Sequence, residues 1–167
     1  MSDILSREPA VIERGAQPYA SVSALVTMET IPSIADRLPE VLGWLAARGV
    51  EPAGPPFLRY RVIDMERQLE IEAGVPVAAT PEPDGEFRCG ALPPGRYVTA
   101  EHTGRPDGMI GAVDAVFAWA AERELVWDAA PDPEGTRWGC RLEVFLTDPR
   151  VEPDPERWRT ELAFRLA

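Results

Sequence analysis

The run Arg96-Tyr-Val-Thr-Ala-Glu-His102 decides the fold, because β-branched and aromatic residues dominate it and a helical pattern follows. Asp107 is placed to cap a helix that continues to about residue 124, with apolar side chains at helical spacing. Residues 140–147 and 160–166 are again typical of strands, and a Pro-rich loop separates them. The second half of the chain therefore predicts the order strand, helix, strand, strand.

The same order also occurs earlier in the chain, displaced by roughly 75 residues, which is too long a period for a solenoid and indicates two related subdomains. Residues 20–28 predict its first strand. Ser33 is expected to be the N-cap of the following helix, and Gly49 marks the end of that helix. Residues 57–63 and 67–77 predict the two strands that complete this first unit.

One further strand pattern, at residues 86–92, turns through Pro93-Pro94-Gly95 into the second unit. We therefore expect a single α+β domain over residues 1–167, built from two βαββ units related by a pseudo-twofold axis. Its mostly antiparallel sheet should carry both helices on one face and a ligand cleft on the other. Residues 1–15 are expected to be flexible or loosely packed.

Composition and charge narrow the choice of partner. With 167 residues, 45% of them hydrophobic, the chain is long and apolar enough to bury one core. The formal net charge of -11 opposes contact with phosphate backbones, so direct nucleic-acid binding is disfavoured. All 17 basic residues are Arg, which excludes a Schiff-base lysine and a phosphate-loop lysine.

Cys89, Cys140 and the single His102 have no spacing that would form a metal site, so we expect no metal and no cofactor. Small buried thiols in a reducing cytoplasm are favoured over a disulfide or a reactive thiol. No stretch reaches the length of a membrane span, and residues 1–9 lack the apolar core of a signal peptide. We expect a cytoplasmic monomer or homodimer.

Five short motifs follow one another in a distinctive order: Leu92-Pro-Pro-Gly-Arg-Tyr97, Glu101-His-Thr-Gly104, Arg141-Leu-Glu-Val-Phe145, Asp148-Pro149 and Trp158-Arg-Thr-Glu-Leu162. In this order they resemble the GyrI-like small-molecule-binding domains, which form the effector-binding modules of multidrug-responsive MerR-type and AraC-type regulators. Because the chain begins almost at its first strand, it resembles the stand-alone members. Those are drug-binding proteins, gyrase-inhibitor-like partners, or hydrolases that open cyclopropane-bearing DNA-alkylating compounds.

Glu143 is the principal candidate for ligand binding. Because side chains alternate along a strand, Glu143 shares a face with Arg141 and Phe145, while Leu142 and Val144 occupy the face suited to the helices. Spacing alone favours a solvent-facing Glu143 paired with Arg141. The resemblance implies instead the family's ligand-facing glutamate. Beside the Phe145 ring, such a carboxylate would attract a lipophilic cation or a polyaromatic compound.

Four more aromatic residues are candidates for the ligand-binding site. Trp127 and Trp138 bracket residues 128–137, and they either line the mouth of the cleft or belong to a lid that packs on its own loop. Tyr60 and Tyr97 either pack in the core or form walls of the pocket.

Glu72 is the carboxylate of the first unit that would oppose Glu143 across the cleft, although a solvated carboxylate face is the commoner situation. Two main function classes stay open. A binding module needs only aromatic walls and one carboxylate. A hydrolase would use Glu143 as general base and needs a second proton-handling group nearby, for which His102, a residue placed to cap or pack, is disfavoured. A third role, inhibitory binding to a protein partner, would need an exposed docking surface.

Overall fold

Ten strands form one sheet in the computed structural model, which describes residues 5–167. In chain order the elements are β1 (Arg7–Arg14), β2 (Gln17–Val26), α1 (Ile31–Ala35), α2 (Leu38–Ala47), β3 (Phe57–Ile63), β4 (Leu69–Pro76), β5 (Arg88–Leu92), β6 (Gly95–Thr103), α3 (Met109–Glu122), β7 (Ala129–Asp132), β8 (Gly135–Trp138), β9 (Arg141–Phe145) and β10 (Arg159–Arg165). Among the described residues every strand pair is antiparallel.

The strand order is symmetric about the contact between β3 and β9, which we call the seam. On one side of the seam the order is β9, β10, β6, and on the other side it is β3, β4, β2. In each half, the middle strand of the βαββ unit (β9 or β3) lies at the seam and the last strand (β10 or β4) lies beside it. The first strand of the unit (β6 or β2) is the one farthest from the seam. β1 and β5 extend the two ends, and the β7–β8 hairpin pairs with β3. The predicted α+β class is confirmed.

The first predicted helix is divided into α1 and α2. Pro39 lies in the first turn of α2, where no N–H is required, so it can begin a helix but cannot continue α1 into it. The Ser33 hydroxyl donates to the Thr30 carbonyl at 2.6 Å inside α1, so the expected N-cap role of Ser33 is wrong. Gly49, with φ of 69°, ends α2 in the left-handed conformation, as predicted.

α3 also starts later than predicted. A 3-10 turn at Pro106–Gly108 contains Asp107, and Gly108 occupies the cap position of α3 without a side-chain hydrogen bond. The expected cap at Asp107 is therefore wrong. The C-terminal end agrees with the prediction, since Glu124 adopts a φ of 55° directly after the helix.

Two segments form strands that the sequence pattern did not predict. β1 pairs with β6 although residues 1–15 were expected to be flexible or loosely packed, of which residues 1–4 lie outside the described part. Most β1 side chains are exposed, so the strand lacks an apolar period and depends on backbone pairing. Residues 129–138 form the β7–β8 hairpin, where a loop was expected. Its turn signal is Pro133-Glu134 before Gly135, whose φ is 139°.

The helices cover one side of the sheet, which we call the helix face. α1 and α2 pack on β2, β3 and β4, with Ile34, Val41 and Leu45 fully buried against Val22 and Ile71. The other buried cluster on this face packs α3 on β6 and β10; its buried members include Ala112, Val116, Val98, Leu162 and Phe164. The seam therefore lies between two helix-covered cores.

The opposite face is buried because the sheet curves. β5 is the last strand at one end of the sheet, and β6 is the second strand from the other end. Only Pro93 and Pro94 separate these two strands in the chain. Three steps of chain, from Leu92 to Gly95, reach at most about 11 Å, so the two ends of the sheet must lie close together. Leu92 and Tyr97 accordingly share one buried cluster with Phe57. Among residues 5–167 no helix is long and apolar enough to cross a membrane.

Candidate functional site

A tyrosine and a glutamate meet across the seam on the helix face. Leu58 of β3 is the register partner of Glu143 in β9. Tyr60, two residues further along β3, points to the same face as Leu58 because side chains alternate. Its hydroxyl donates to Glu143 Oε1 at 3.0 Å. Tyr60 is buried in the core beneath α2, while Glu143 remains partly exposed.

Burial dominates the electrostatics of this pair. It raises the pKa of the Glu143 carboxyl, and the hydrogen bond from Tyr60 and the charges of Arg141 and His102 oppose that shift without cancelling it. Burial and the neighbouring Glu143 charge raise the pKa of the Tyr60 hydroxyl well above its ordinary value. Tyr60 therefore stays protonated and acts as a hydrogen-bond donor, and Glu143 is a carboxylate that a nearby positive charge or a proton would stabilise.

Arg141 lies beside this pair inside a group of four rings, which we call the Arg141 cage. Its guanidinium carbon lies 4.7 Å from the ring centroid of Phe164, 5.0 Å from that of Trp138, 5.4 Å from that of Phe117 and 5.7 Å from that of Tyr60. These rings come from β10, β8, α3 and β3. The cage thus joins the two helix-covered cores at the seam.

Trp127 extends the cage on its outer side. Its ring centroid lies 5.5 Å from that of Phe117 and 5.7 Å from that of Trp138. Trp127 and Trp138 also line a surface depression of about 560 Å³ together with Arg61 and Arg137. The two tryptophans therefore lie together at the β7–β8 hairpin. Their predicted contact with a ligand stays a prediction.

Glu143 and Phe145 lie on the helix face. Phe145 packs, partly buried, against the α2 core, whereas Leu142 and Val144 belong to the cluster on the opposite face. The expectation that Leu142 and Val144 would face the helices, with Glu143 pointing away from them, is therefore wrong. The apolar pattern could not decide between the faces because curvature buries both of them.

Glu72 lies on the opposite face, since its neighbours Ile71 and Ala73 in β4 pack under α2. Its carboxylate accepts hydrogen bonds from Tyr19 at 2.7 Å and from Ser21 at 2.9 Å. A third bond, from Arg61, measures 3.1 Å. The predicted opposition of Glu72 and Glu143 across one cleft is therefore wrong, and Glu72 belongs to a buried polar network.

Tyr97 is likewise on the opposite face, where it is 1% exposed, and its hydroxyl donates to the Pro93 carbonyl at 2.6 Å. The sheet separates it from Glu143, so the alternative in which Tyr97 packs in the core describes its position. Of the seven predicted site residues, the helix face brings together Glu143, Phe145, Tyr60, Trp138 and Trp127.

Sequence reasoning missed the position of Arg141 and two of its rings, Phe117 and Phe164. Spacing alone favoured a pair between Arg141 and Glu143, the alternative that the family resemblance replaced, and Arg141 forms no ion pair with any carboxylate of the described chain. The one feature of the sequence that indicated the position of Arg141 was the alternation of side chains along β9, which places Arg141 on the same face as Glu143. Within residues 5–167 no group of three or more His, Cys, Asp and Glu side chains is arranged to hold a metal.

Comparison with known families decides the assignment. The model of the GyrI-like small-molecule binding domain matches residues 7–167. The chain belongs to the GyrI-like family. This membership confirms the resemblance carried by the sequence motifs. A search of curated protein sequences gives no match.

Solved structures share the fold of this GyrI-like chain. EcmrR in a cryo-EM complex with DNA has a TM-score of 0.77 at 16% identity, over 95% of this chain and 57% of EcmrR, so the chain spans little more than half of that protein. SAV2435 bound to tetraphenylphosphonium has a TM-score of 0.65 at 8% identity, over 96% of this chain and 94% of SAV2435. A hydrolase from Listeria innocua has a TM-score of 0.60 at 14% identity, over 99% and 94% of the two chains.

Proposed function

We propose that this small-molecule-binding domain holds lipophilic aromatic cations on the helix face at the seam, with Glu143 as their counter-charge. The observation that carries the proposal is Glu143, a partly exposed residue whose carboxylate accepts a hydrogen bond from Tyr60 and lies among aromatic side chains from both halves of the sheet. We use the name seam site for Glu143, Tyr60, Phe145 and the Arg141 cage.

Electrostatics favours a large, delocalised cation at this position. A carboxylate loses hydration when it is buried, and the raised pKa of Glu143 reflects that loss. A lipophilic cation restores a neutral pair and itself loses little hydration. Its apolar rings add roughly 25 cal/mol for each Å² removed from water, and the Tyr60 and Phe145 rings offer cation–π contacts. Few directional contacts are needed, so specificity would be broad.

The depression beside the β7–β8 hairpin suits such a ligand less well. Its charged side chains are already ion-paired, Arg61 with Glu72 at 3.1 Å, Arg137 with Asp132 at 3.0 Å and Asp128 with Arg165 at 2.7 Å, so it offers a cation no unpaired carboxylate. The fold shared with SAV2435, which was solved with tetraphenylphosphonium, is compatible with a cation site in this type of domain. At 8% identity that likeness concerns the fold alone.

The test is a titration with the ethyl ester of rhodamine B, a permanent lipophilic cation, followed by dye anisotropy. Glu143→Gln keeps the size of the side chain and an acceptor for Tyr60 but removes the charge. Glu161→Gln is the matched control, because Glu161 lies on the neighbouring strand and bonds Arg14 at 2.6 Å. We expect saturable binding that weakens at least about tenfold, or 1.4 kcal/mol, in Glu143→Gln alone. Equal weakening in both variants, or no binding by the folded protein, would contradict the proposal.

A second candidate function is hydrolysis of an electrophilic ligand. The observation that favours it is the Tyr60 hydroxyl within hydrogen-bond distance of Glu143. With its raised pKa, Glu143 would take a proton from water as that water attacks an electrophilic carbon of a cyclopropane. The ring carbon–carbon bond would break, its electron pair would pass to the conjugated carbonyl, and Tyr60 would protonate the resulting oxyanion.

Turnover is tested by incubating the protein with a cyclopropane-bearing DNA-alkylating compound and measuring its water adduct by mass spectrometry. Both Glu143→Gln and Tyr60→Phe should then abolish formation of the adduct. If the adduct forms no faster than in buffer, the hydrolase function is excluded and the binding function is untouched.

A further inference from the structure

Arg141 is a buried cation without an acceptor. The residue is only 8% exposed, and its guanidinium makes no hydrogen bond or ion pair with any group in residues 5–167. Burial lowers its pKa, yet a guanidinium remains protonated at any physiological pH and carries five N–H donors. No Arg141 nitrogen is among the fully buried polar atoms that lack a partner, so the guanidinium is reachable from solvent and a molecule bound beside it can supply its acceptors.

The rings of the cage do not supply them. Four ring faces within 5.7 Å stabilise the positive charge through their quadrupoles. Only Tyr60 carries an oxygen, and its hydroxyl is hydrogen-bonded to Glu143 and not to Arg141. Buried Arg59, on the opposite face, differs in that its two terminal nitrogens donate to the Tyr19 hydroxyl and the Gly139 carbonyl, each at 2.8 Å, while its Nε has no partner. Arg141 is thus positioned by its cage and keeps its donors for another molecule.

The distance between Arg141 and Glu143 in the seam site is fixed by the geometry of β9. They are two residues apart on one face of β9, so their Cα atoms are separated by about 7 Å. The positive charge of Arg141 and the negative charge of Glu143 do not form an ion pair with each other. Together they are complementary to a molecule that carries one charge of each sign. The rings between and around them match an aromatic body.

We propose that Arg141 binds a carboxylate of the ligand, so that the seam site prefers aromatic ampholytes, which are compounds with a delocalised cation and a carboxylate on one ring system. A carboxylate fits the planar fork of a guanidinium through two parallel hydrogen bonds. A tetrahedral phosphate fits less well, since one guanidinium cannot neutralise a dianion and the net charge of -11 repels it. The ligand class named here rests on the function proposed above.

The experiment compares rhodamine B with its ethyl ester by equilibrium dialysis. The two dyes share one xanthylium cation and differ only in the carboxylate. We expect the protein to bind the free acid about tenfold more tightly than the ester, because charge-assisted bidentate pairs are the stronger kind. Arg141→Met, which keeps apolar bulk in the cage, should remove this preference, so that the free acid and the ester bind this variant equally tightly. Arg141→Lys, which keeps the charge but loses the fork, should retain only part of the preference.

The outcomes separate the two proposals. If neither dye binds, the proposed function has failed. If the ester binds through Glu143 but the free acid binds no better, or if the preference persists in Arg141→Met, the carboxylate proposal alone is overturned. Should Arg141→Met fail to fold, as judged by near-ultraviolet circular dichroism, the unmodified protein and Arg141→Lys still decide the question. A full preference in Arg141→Lys would then contradict a bidentate contact.

Discussion

The hydroxyl of Tyr60 and the carboxylate of Glu143 meet at 3.0 Å across the seam, and each comes from the middle strand of a different half of the sheet. The pair exists only because β3 and β9 run side by side with Leu58 opposite Glu143. A site built at such a junction depends on both halves being folded. It also places one carboxylate where two helix-covered cores adjoin.

Acidification should weaken binding of a permanent cation. Because burial raises the pKa of Glu143, protonation removes its charge at a pH above the ordinary glutamic acid value of about 4.3. As the pH is lowered from 8, affinity for the ethyl ester of rhodamine B should therefore begin to fall before ordinary carboxylates lose their charge. Anisotropy titrations at decreasing pH measure this fall. A flat profile in the unmodified protein would show that the charge of Glu143 does not drive binding.

Glu143 should also lower the stability of the fold at neutral pH. With its pKa higher in the folded than in the unfolded chain, the folded state binds more protons between the two values, so the free energy of unfolding falls as pH rises through that window. The Glu143→Gln variant has no ionisable group at this position, so its free energy of unfolding does not fall in this way. Urea unfolding should find the variant more stable than the unmodified protein at pH 7.5, with the gap closing below about pH 4, where both are uncharged. A gap independent of pH would point to packing instead of charge.

Glu72 should matter for stability and not for ligand binding. Glu72 is 7% exposed, accepts three hydrogen bonds and lies 3.8 Å from the buried Arg59 guanidinium, so Glu72→Ala leaves buried donors and that charge unpaired, at a cost of about 3 kcal/mol or more. Glu70→Ala is the matched control, since its side chain is 40% exposed beside Arg61 and should contribute less than about 1 kcal/mol.

Unfolding curves and dye titrations of both alanine variants test this assignment. If folded Glu72→Ala protein binds the ester with clearly lower affinity, the opposite face takes part in ligand binding after all.

Ligand binding should quench Trp138 in particular. Its ring forms part of the Arg141 cage, with its centroid 5.0 Å from the guanidinium carbon. Trp44 stacks on Phe87 with centroids 5.0 Å apart, near the β5 end of the sheet, and serves as the control. Trp138→Phe should remove most of the quenching caused by a non-fluorescent ligand such as tetraphenylphosphonium, while Trp44→Phe should keep it. The reverse pattern would place the ligand away from the cage.

The strands of the two units and the ends of their helices could be predicted from sequence, because each is amphipathic or ends at a turn residue. Residues 57–63, for example, coincide with β3 as predicted. β1 could not be predicted from its pattern, since its exposed side chains carry no apolar period. The β7–β8 hairpin has a turn signal in Gly135, but its short strands contain Pro131 and few apolar residues.

Most residues of the candidate site could be predicted from the sequence, but the face of the sheet on which they lie could not. Alternation correctly grouped Glu143 with Arg141 and Phe145. Which face carried the helices depended on the curvature of the sheet, a property of the β5–β6 connection and not of β9. That curvature buries Val144 and Leu142 as completely as helices would, so the apolar pattern alone pointed to the wrong face.

A crystal structure of the chain with tetraphenylphosphonium would show whether the ligand binds at the seam site, because the position of the ligand cannot be inferred from affinity. We expect the phosphonium on the helix face, within a few ångströms of the Glu143 carboxylate and in contact with Tyr60 or Phe145. Density for the ligand only in the depression beside Arg61 and Arg137, or on the face that holds Glu72, would contradict this expectation.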